Sequence, residues 1–297
     1  MAHAAVRAAD AEILKDRPLL RVASHGYTYV IRREAERVTL SVSDGRKTFS
    51  APIRWAFGFG SMGQTYVYEY RGALYESQVS FYSALNGLDV TIGHRNFAPT
   101  QVEEAAGRRL QKLELVRCFG CHTTGTLDAI TPGVRCERCH KNAQQHALAF
   151  DDRTVPPVTP DKLSRLGLEE LSDFCGGCHR TWQEVSANGP HDINNIRFQP
   201  YRLATSNCYN SSLGDKRISC VACHDPHSNV VTSAESYDAK CQACHRAGNA
   251  PQSAKRCKVA QRGCASCHMP KVDFPGGHFQ FTDHRIRVVR AGSGYPG

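Results

Sequence analysis

No run of apolar residues in this chain approaches the roughly 20 needed to span a bilayer as a helix, so no transmembrane segment is expected. The opening MAHAAVRAAD lacks the continuous apolar core of a signal peptide. Acidic residues are fewer than basic ones, 28 against 37, for a formal charge of +9. That excess by itself suggests an anionic partner, but no aromatic–basic interleaving marks a nucleic-acid surface, and no nucleic acid is expected. Methionine occurs 3 times in 297 residues, leaving little thioether for a metal centre. Cysteine outside one motif is almost missing too: only Cys208 and Cys257 stand apart.

The other twelve cysteines write C-x-x-C-H six times. The first motif is Cys118, Cys121 and His122; the second is Cys136, Cys139 and His140; the third is Cys175, Cys178 and His179. The fourth is Cys220, Cys223 and His224; the fifth is Cys241, Cys244 and His245; the sixth is Cys264, Cys267 and His268. A disulfide framework leaves six adjacent histidines without a role. Tetrahedral zinc uses C-x-x-C pairs but has no need of a histidine after every second cysteine. Covalent c-type haem needs both parts, two thiols for the vinyl groups and an imidazole for one face of the iron. Six c-type haems are therefore expected, with the twelve cysteines as attachment points and those six histidines as proximal iron ligands. Their propionates and ferric centres would bring the net charge to about +3 oxidised and about −3 reduced, so much of the Lys and Arg reads as propionate counter-charge. Haem c is attached outside the cytoplasmic membrane, so a periplasmic or extracellular protein is expected, its signal peptide lying outside this numbering.

The fold class expected is mixed. Residues 1–99 read as a small antiparallel β domain, a sheet or partial barrel: TYVI (28–31), VTLSV (38–42), TYVYEY (65–70) and LYESQVSFY (74–82) are rich in β-branched and aromatic residues. Asp44-Gly45 and Arg71-Gly72 mark hairpin turns, and the glycines of WAFGFGSMG mark a bend. Residues 100–297 read as a haem-packed domain of short helices and loops. Thr100 and Glu103 suggest a capping box, with Val102, Ala106, Leu110 and Leu113 continuing one helix to Cys118. Thr159 and Pro160 suggest the start of a second helix feeding the third motif. About 30 residues per motif is too little chain for an ordinary apolar core, so porphyrin faces would have to supply it. The unequal spacing of the first cysteines (18, 39, 45, 21 and 23 residues) argues against a tandem repeat.

Distal ligation separates an electron carrier from an enzyme, because only an open position binds substrate. Eight histidines lie outside the motifs. His94, His146, His191, His227, His278 and His284 are the distal candidates, His25 the reserve, and His3 the weakest. Three residues span roughly 10 Å at most, so His227 cannot reach around the haem of His224 and should serve another. The same caution applies to His146 with His140. Met269 is too close to His268 to reach around that haem, so bis-histidine ligation and low potentials are expected. Cys208 and Cys257 are a candidate disulfide or, alternatively, thiolate ligands.

The stretches RCFGCHTTG, GVRCERCH, ISCVACHDPHS, CASCHMPK and FTDHRIRV resemble exported multihaem c-type cytochromes with a β-rich N-terminal region. The likeness covers residues 118–297 well and the first 117 only loosely. It implies electron transfer through closely spaced haems, with the C-x-x-C-H-x-x-H pattern from Cys220 to His227 supplying a neighbouring haem's distal histidine. Where the better-known pattern has CH-G-P-G, this chain has KNAQQH, ending at His146. Three functions stay open: a hexahaem relay serving redox partner proteins, a subunit of an extracellular cytochrome filament (a homo-oligomer), or an oxidoreductase acting on nitrite-like or hydroxylamine-like substrates at one open haem. No C-x-x-C-K motif accompanies the six, which weighs against the nitrite reductase type.

Overall fold

Period-two alternation governs the first hundred residues, and it builds one curled sheet. The computed structural model describes residues 4–94, 96, 98–209, 218–245, 257, 259–290 and 295; His3 lies outside them. The strands are β1 (Ala5–Arg7), β2 (Leu19–Ser24), β3 (Tyr27–Glu34), β4 (Arg37–Ser43), β5 (Thr48–Phe57), β6 (Gly63–Tyr70), β7 (Ala73–Tyr82) and β8 (Gly87–Val90), with helix α1 (Glu12–Asp16) between the first two. From β2 to β8 each strand pairs antiparallel with its sequence neighbour. β2 and β8 approach one another, so the sheet is nearly closed as a barrel.

Turn chemistry fixes the register. Arg71-Gly72, with φ of +49° and +72°, joins the paired residues Tyr70 and Ala73. Positive φ at both central residues is the type I′ turn whose twist suits a hairpin. His25-Gly26 does the same between Ser24 and Tyr27, at +52° and +83°. Asp44-Gly45 opens a four-residue loop in which the Asp44 carboxylate accepts hydrogen bonds from the backbone N–H of Arg46 and Lys47.

β5 is the corner of the barrel. Its first half, Thr48 to Pro52, pairs with β4; its second half, Ile53 to Phe57, pairs with β6 and then β1. Pro52 sits at the change of partner, where a missing N–H costs the ladder least, and a register shift between Ile53 and Trp55 follows it. Inside the barrel Tyr29, Ile31, Leu40, Val42, Tyr66, Val79 and Phe81 are buried with Leu14 of α1.

Helix α2 (Val102–Ala106) packs Val102, Ala105 and Ala106 into the same core. The single helix expected from residue 100 to Cys118 is instead broken. Gly107 takes φ +147°, and a Cβ there would lie 2.0 Å from the Glu76 carbonyl oxygen. The chain extends as β9 (Gly107–Arg109) along β7 before α3 (Lys112–His122) begins. Glu104, not Glu103, reaches back to Thr100, and Glu114 caps α3 by accepting from the Gln111 N–H at 2.8 Å. A hairpin of β10 (Thr123–Thr126) and β11 (Ala129–Pro132) follows, then α4 (Ala143–Asp151).

Two compact units divide the chain, Met1–Lys162 with Gly276–Phe279, and Leu163–Pro275 with Gln280–Gly297. The boundary expected at 99/100 follows the change of sequence texture. The compact units divide later, and residues 100–162 with the first two motifs group with the sheet. The second unit carries α5 (Leu168–His179), α6 (Trp182–Asn188), α7 (Gln199–Ala204), α8 (Cys220–Cys223), α9 (Asp238–His245), α10 (Cys264–His268) and the ribbon β12 (Lys271–Asp273) with β13 (Gln280–Thr282). The helix feeding the third motif starts at Leu168 rather than Pro160, because Glu170 caps it at the Gly167 N–H, 2.9 Å away. Among the described residues little apolar side chain is buried here: Leu171, Val185, Ile196, Leu203 and Phe274, whereas Phe174, Trp182, Val221, Val230 and Val231 are exposed.

Candidate functional site

The first motif closes α3, with Cys118 and Cys121 both half-buried on its last turns. Phe119, between the two cysteines, packs edge-on against Trp55 and Phe57 on the outer face of β5, ring centroids 5.2 Å away in each case. The His122 ring stands edge-on to Phe57, and its Nδ1–H donates to the Ala4 carbonyl at 2.9 Å. Burial holds the His122 pKa below its ordinary value and pushes the Cys118 thiol up.

The β10–β11 hairpin then carries the chain to the second motif, a single tight turn. The Cys139 N–H donates to the Cys136 carbonyl at 3.1 Å, leaving Cys136 exposed and Cys139 half-buried. Arg138 donates to the Gly120 carbonyl at 2.6 Å and ties the two motifs together.

The proline-rich segment 151–160 and Asp161 act as an acceptor strap. His140 Nδ1–H donates to the Asp161 carbonyl at 2.7 Å and His146 Nδ1–H to the Val158 carbonyl at 2.8 Å. In the second unit His268 donates from Nδ1 to the Arg287 carbonyl, and His284 from Nδ1 to the Thr282 carbonyl, both at 2.9 Å. Five imidazoles thus share one arrangement. In a neutral ring, a proton held on Nδ1 by a backbone carbonyl selects the tautomer whose Nε2 carries the lone pair, and such a carbonyl is a usual outer partner of a metal-ligating histidine.

Motifs of the second unit touch one another. The Cys175 thiol hydrogen-bonds Cys220 and draws the Cys220 pKa below its ordinary value. Cys241 and Cys264 are likewise hydrogen-bonded. Asp238, first residue of α9, accepts from the backbone N–H of Gly263 and Cys264 at 2.8 and 2.9 Å, joining the fifth motif to the sixth. Burial and the Asp238 carboxylate push the Cys264 thiol up to about 12. Cys267, the second thiol of that motif, is exposed on α10, as Cys178 is on α5. His224 lies edge-on to Tyr237 and has its ring centroid 6.1 Å from that of His284. Burial drives the His284 pKa down to about 4, with His224 and His179 contributing repulsion.

The remaining candidates are scattered. His94 is buried in the first unit: Nδ1 meets Gln78 Oε1 at 2.9 Å, and Nε2 lies between Glu76 and Arg108 at 3.0 and 3.1 Å. His278 Nε2 meets Asp89 Oδ2 at 2.6 Å. His227 is exposed beside Asp225, His191 is exposed beyond α6, and His25 forms a hairpin turn with Ser24 Oγ on its Nδ1. Among the described residues, which include all 14 cysteines, there is no disulfide, so Cys208 and Cys257 are not joined. Cys208 lies instead within electrostatic reach of Cys244 and Cys223.

Sequence reasoning missed the groups that hold these side chains. Ala4, Val158, Asp161 and Arg287 act through backbone carbonyls, which carry no residue signature. The Arg202–Asp283 ion pair, 81 residues apart and buried on both sides, carried no signal either. No group of three or more His, Cys, Asp or Glu gathers as a metal site among the described residues; a haem iron, with four donors from its porphyrin, asks only two imidazoles of the protein. No described helix is long and apolar enough to cross a membrane. No protein family, no curated protein and no solved structure matches this chain, so the reading of the site rests on its own residues.

Proposed function

We propose that the chain is a hexahaem c-type cytochrome that relays electrons, working outside the cytoplasmic membrane with redox partner proteins. The observation that carries this reading is the repeated Nδ1–H to carbonyl bond on His122, His140, His146, His268 and His284. Three of those residues close a C-x-x-C-H motif, and two are the histidines expected on the far side of an iron. The same backbone bond on both sets is the outer partner that a metal-ligating imidazole usually has, and it would orient these five rings toward an iron.

The exposed apolar residues of the motif-bearing region, among them Phe150, Phe174, Trp182 and Val221, suit large apolar cofactor faces better than water. Each haem, when bound, supplies a one-electron iron couple. The chain's own part is to hold the imidazoles oriented with Nε2 outward, so that little moves when the charge changes. Contacts from Cys175 to Cys220 and from Cys241 to Cys264 support closely spaced haems in the second unit, with the third beside the fourth and the fifth beside the sixth.

A pyridine haemochrome assay with low-temperature EPR of the oxidised protein tests the proposal. Six haems per chain, all low-spin, are expected. A chain without covalent haem overturns it, and one high-spin iron per chain replaces the relay with catalysis at an open haem.

A further inference from the structure

His284 and His224 lie side by side in the second unit, ring centroids 6.1 Å apart and planes inclined by 38°. Two imidazoles bound trans to one metal, each with a metal–nitrogen bond of about 2 Å and about 1 Å from that nitrogen to its ring centre, have centroids about 6 Å apart. The Nδ1–H of His284 is already spent on the Thr282 carbonyl, so Nε2 is the donor atom available to a metal.

The segment bearing His284 is held from beneath. Asp283 is fully buried and accepts from Arg202 Nε and Nη2 at 2.9 and 3.0 Å, a two-pronged pair with an arginine that is 1% exposed. It also accepts from the Arg285 N–H and from Arg287 Nη1. Ser206 donates to the His284 carbonyl and accepts from the Ile286 N–H. Two residues of α7 and the turn after it thereby fix the backbone on both sides of His284. A planar guanidinium gripping both carboxylate oxygens allows little rotation.

We propose that His284 is the distal ligand of the iron whose proximal ligand is His224, and that the Arg202–Asp283 pair is its positioning clamp. The pairing rests on the haem-binding reading above and adds to it a specific partner. His227, three residues from His224, is too near in the chain to reach the opposite face, and the clamp presents His284 there instead.

The test uses the full-length holoprotein carrying His284→Met. One of the six low-spin EPR signals is expected to give way to a histidine–methionine signature, with one midpoint potential raised and the haem count unchanged at six. In a Cys220→Ser, Cys223→Ser protein, which lacks that haem, the same substitution should leave the other five signals untouched. If the methionine variant does not mature, His284→Gly is expected to give one high-spin iron that added imidazole returns to low spin. Arg202→Met should disturb the same signal alone, and Arg202→Lys should partly restore it.

Six haems with spectra unmoved by His284→Met overturn the pairing while leaving the cytochrome reading intact. A change that persists in the Cys220→Ser, Cys223→Ser protein, and vanishes in its Cys175→Ser, Cys178→Ser counterpart, assigns His284 to the third motif and also overturns the pairing. An Arg202→Met effect spread evenly over all six signals removes the clamp. A chain without haem overturns both proposals.

Discussion

Replacing Phe119 with alanine separates the first motif from the barrel that carries it. The ring is 2% exposed and meets Trp55 and Phe57 edge-on at interplanar angles of 80° and 78°. Truncating a buried phenylalanine costs about 3–5 kcal/mol, of which each edge-to-face pair accounts for about 0.5–1.5 kcal/mol. Because Phe119 belongs to α3 and its partners to β5, the loss falls on the opening of α3 from the sheet. At about 1.4 kcal/mol per factor of ten, amide exchange in residues 112–122 should accelerate about 100- to 4000-fold, while the β3–β4 hairpin keeps its protection. Phe119→Leu keeps most of the volume and should cost about 1–2 kcal/mol. Native-state hydrogen exchange followed by mass spectrometry reads both. If Phe119→Ala changes α3 exchange by less than about fivefold, roughly 1 kcal/mol, aromatic packing is not what seats the first motif and the argument fails.

Other perturbations probe the frame. Gly107→Ala forces a side chain into φ +147° against the Glu76 carbonyl; a cost of at least about 2 kcal/mol should lower the melting temperature by about 4–8 °C in calorimetry, and an unchanged melting point refutes the close approach of β9 to β7. Among the described residues the buried Tyr66 hydroxyl has no hydrogen-bond partner, and burial holds its pKa far above the usual range. Tyr66→Phe should therefore be neutral or stabilising by up to about 1 kcal/mol in urea titration, and a clear loss would reveal a partner. Hydrogen bonds from Cys264 and Gly263 hold Asp238 below the ordinary carboxylate pKa. A depressed carboxylate stabilises above its unfolded pKa and ceases to do so as pH falls through its folded value. Acid should thus loosen α9 from α10 in the native protein, whereas Asp238→Asn, looser at neutral pH, should show no such acid step by hydrogen exchange.

Alternation made β3, β4, β6 and β7 legible, and dipeptide chemistry marked the hairpins at Asp44-Gly45 and Arg71-Gly72. β5 escaped because Pro52 interrupts it at a point where, in the barrel, the strand changes partner. The break at Gly107 escaped because the run from Val102 to Leu113 keeps helical spacing; the positive φ and the close carbonyl of Glu76, 31 residues earlier, are what make glycine necessary there. The six motifs announce themselves by residue type; a helix ahead of Cys118 was legible in apolar spacing and one ahead of Cys175 in the Thr159-Pro160 signal, but both begin later than those signals place them. What orients the imidazoles does not announce itself, since backbone carbonyls are the same in every residue and the Arg202–Asp283 contact spans 81 positions.

The meander also orders events in time. Each strand from β2 to β8 needs only its successor, so the sheet can form step by step as the chain is made. Ala4, which also accepts from the Gly58 N–H, can be docked before His122 arrives to use its carbonyl. Asp283 comes 81 residues after Arg202, so that contact cannot form until the chain between them has been made. The contacts that seat the first motif thus need only the chain up to His122, whereas the Arg202–Asp283 clamp needs nearly the whole chain and closes among the last.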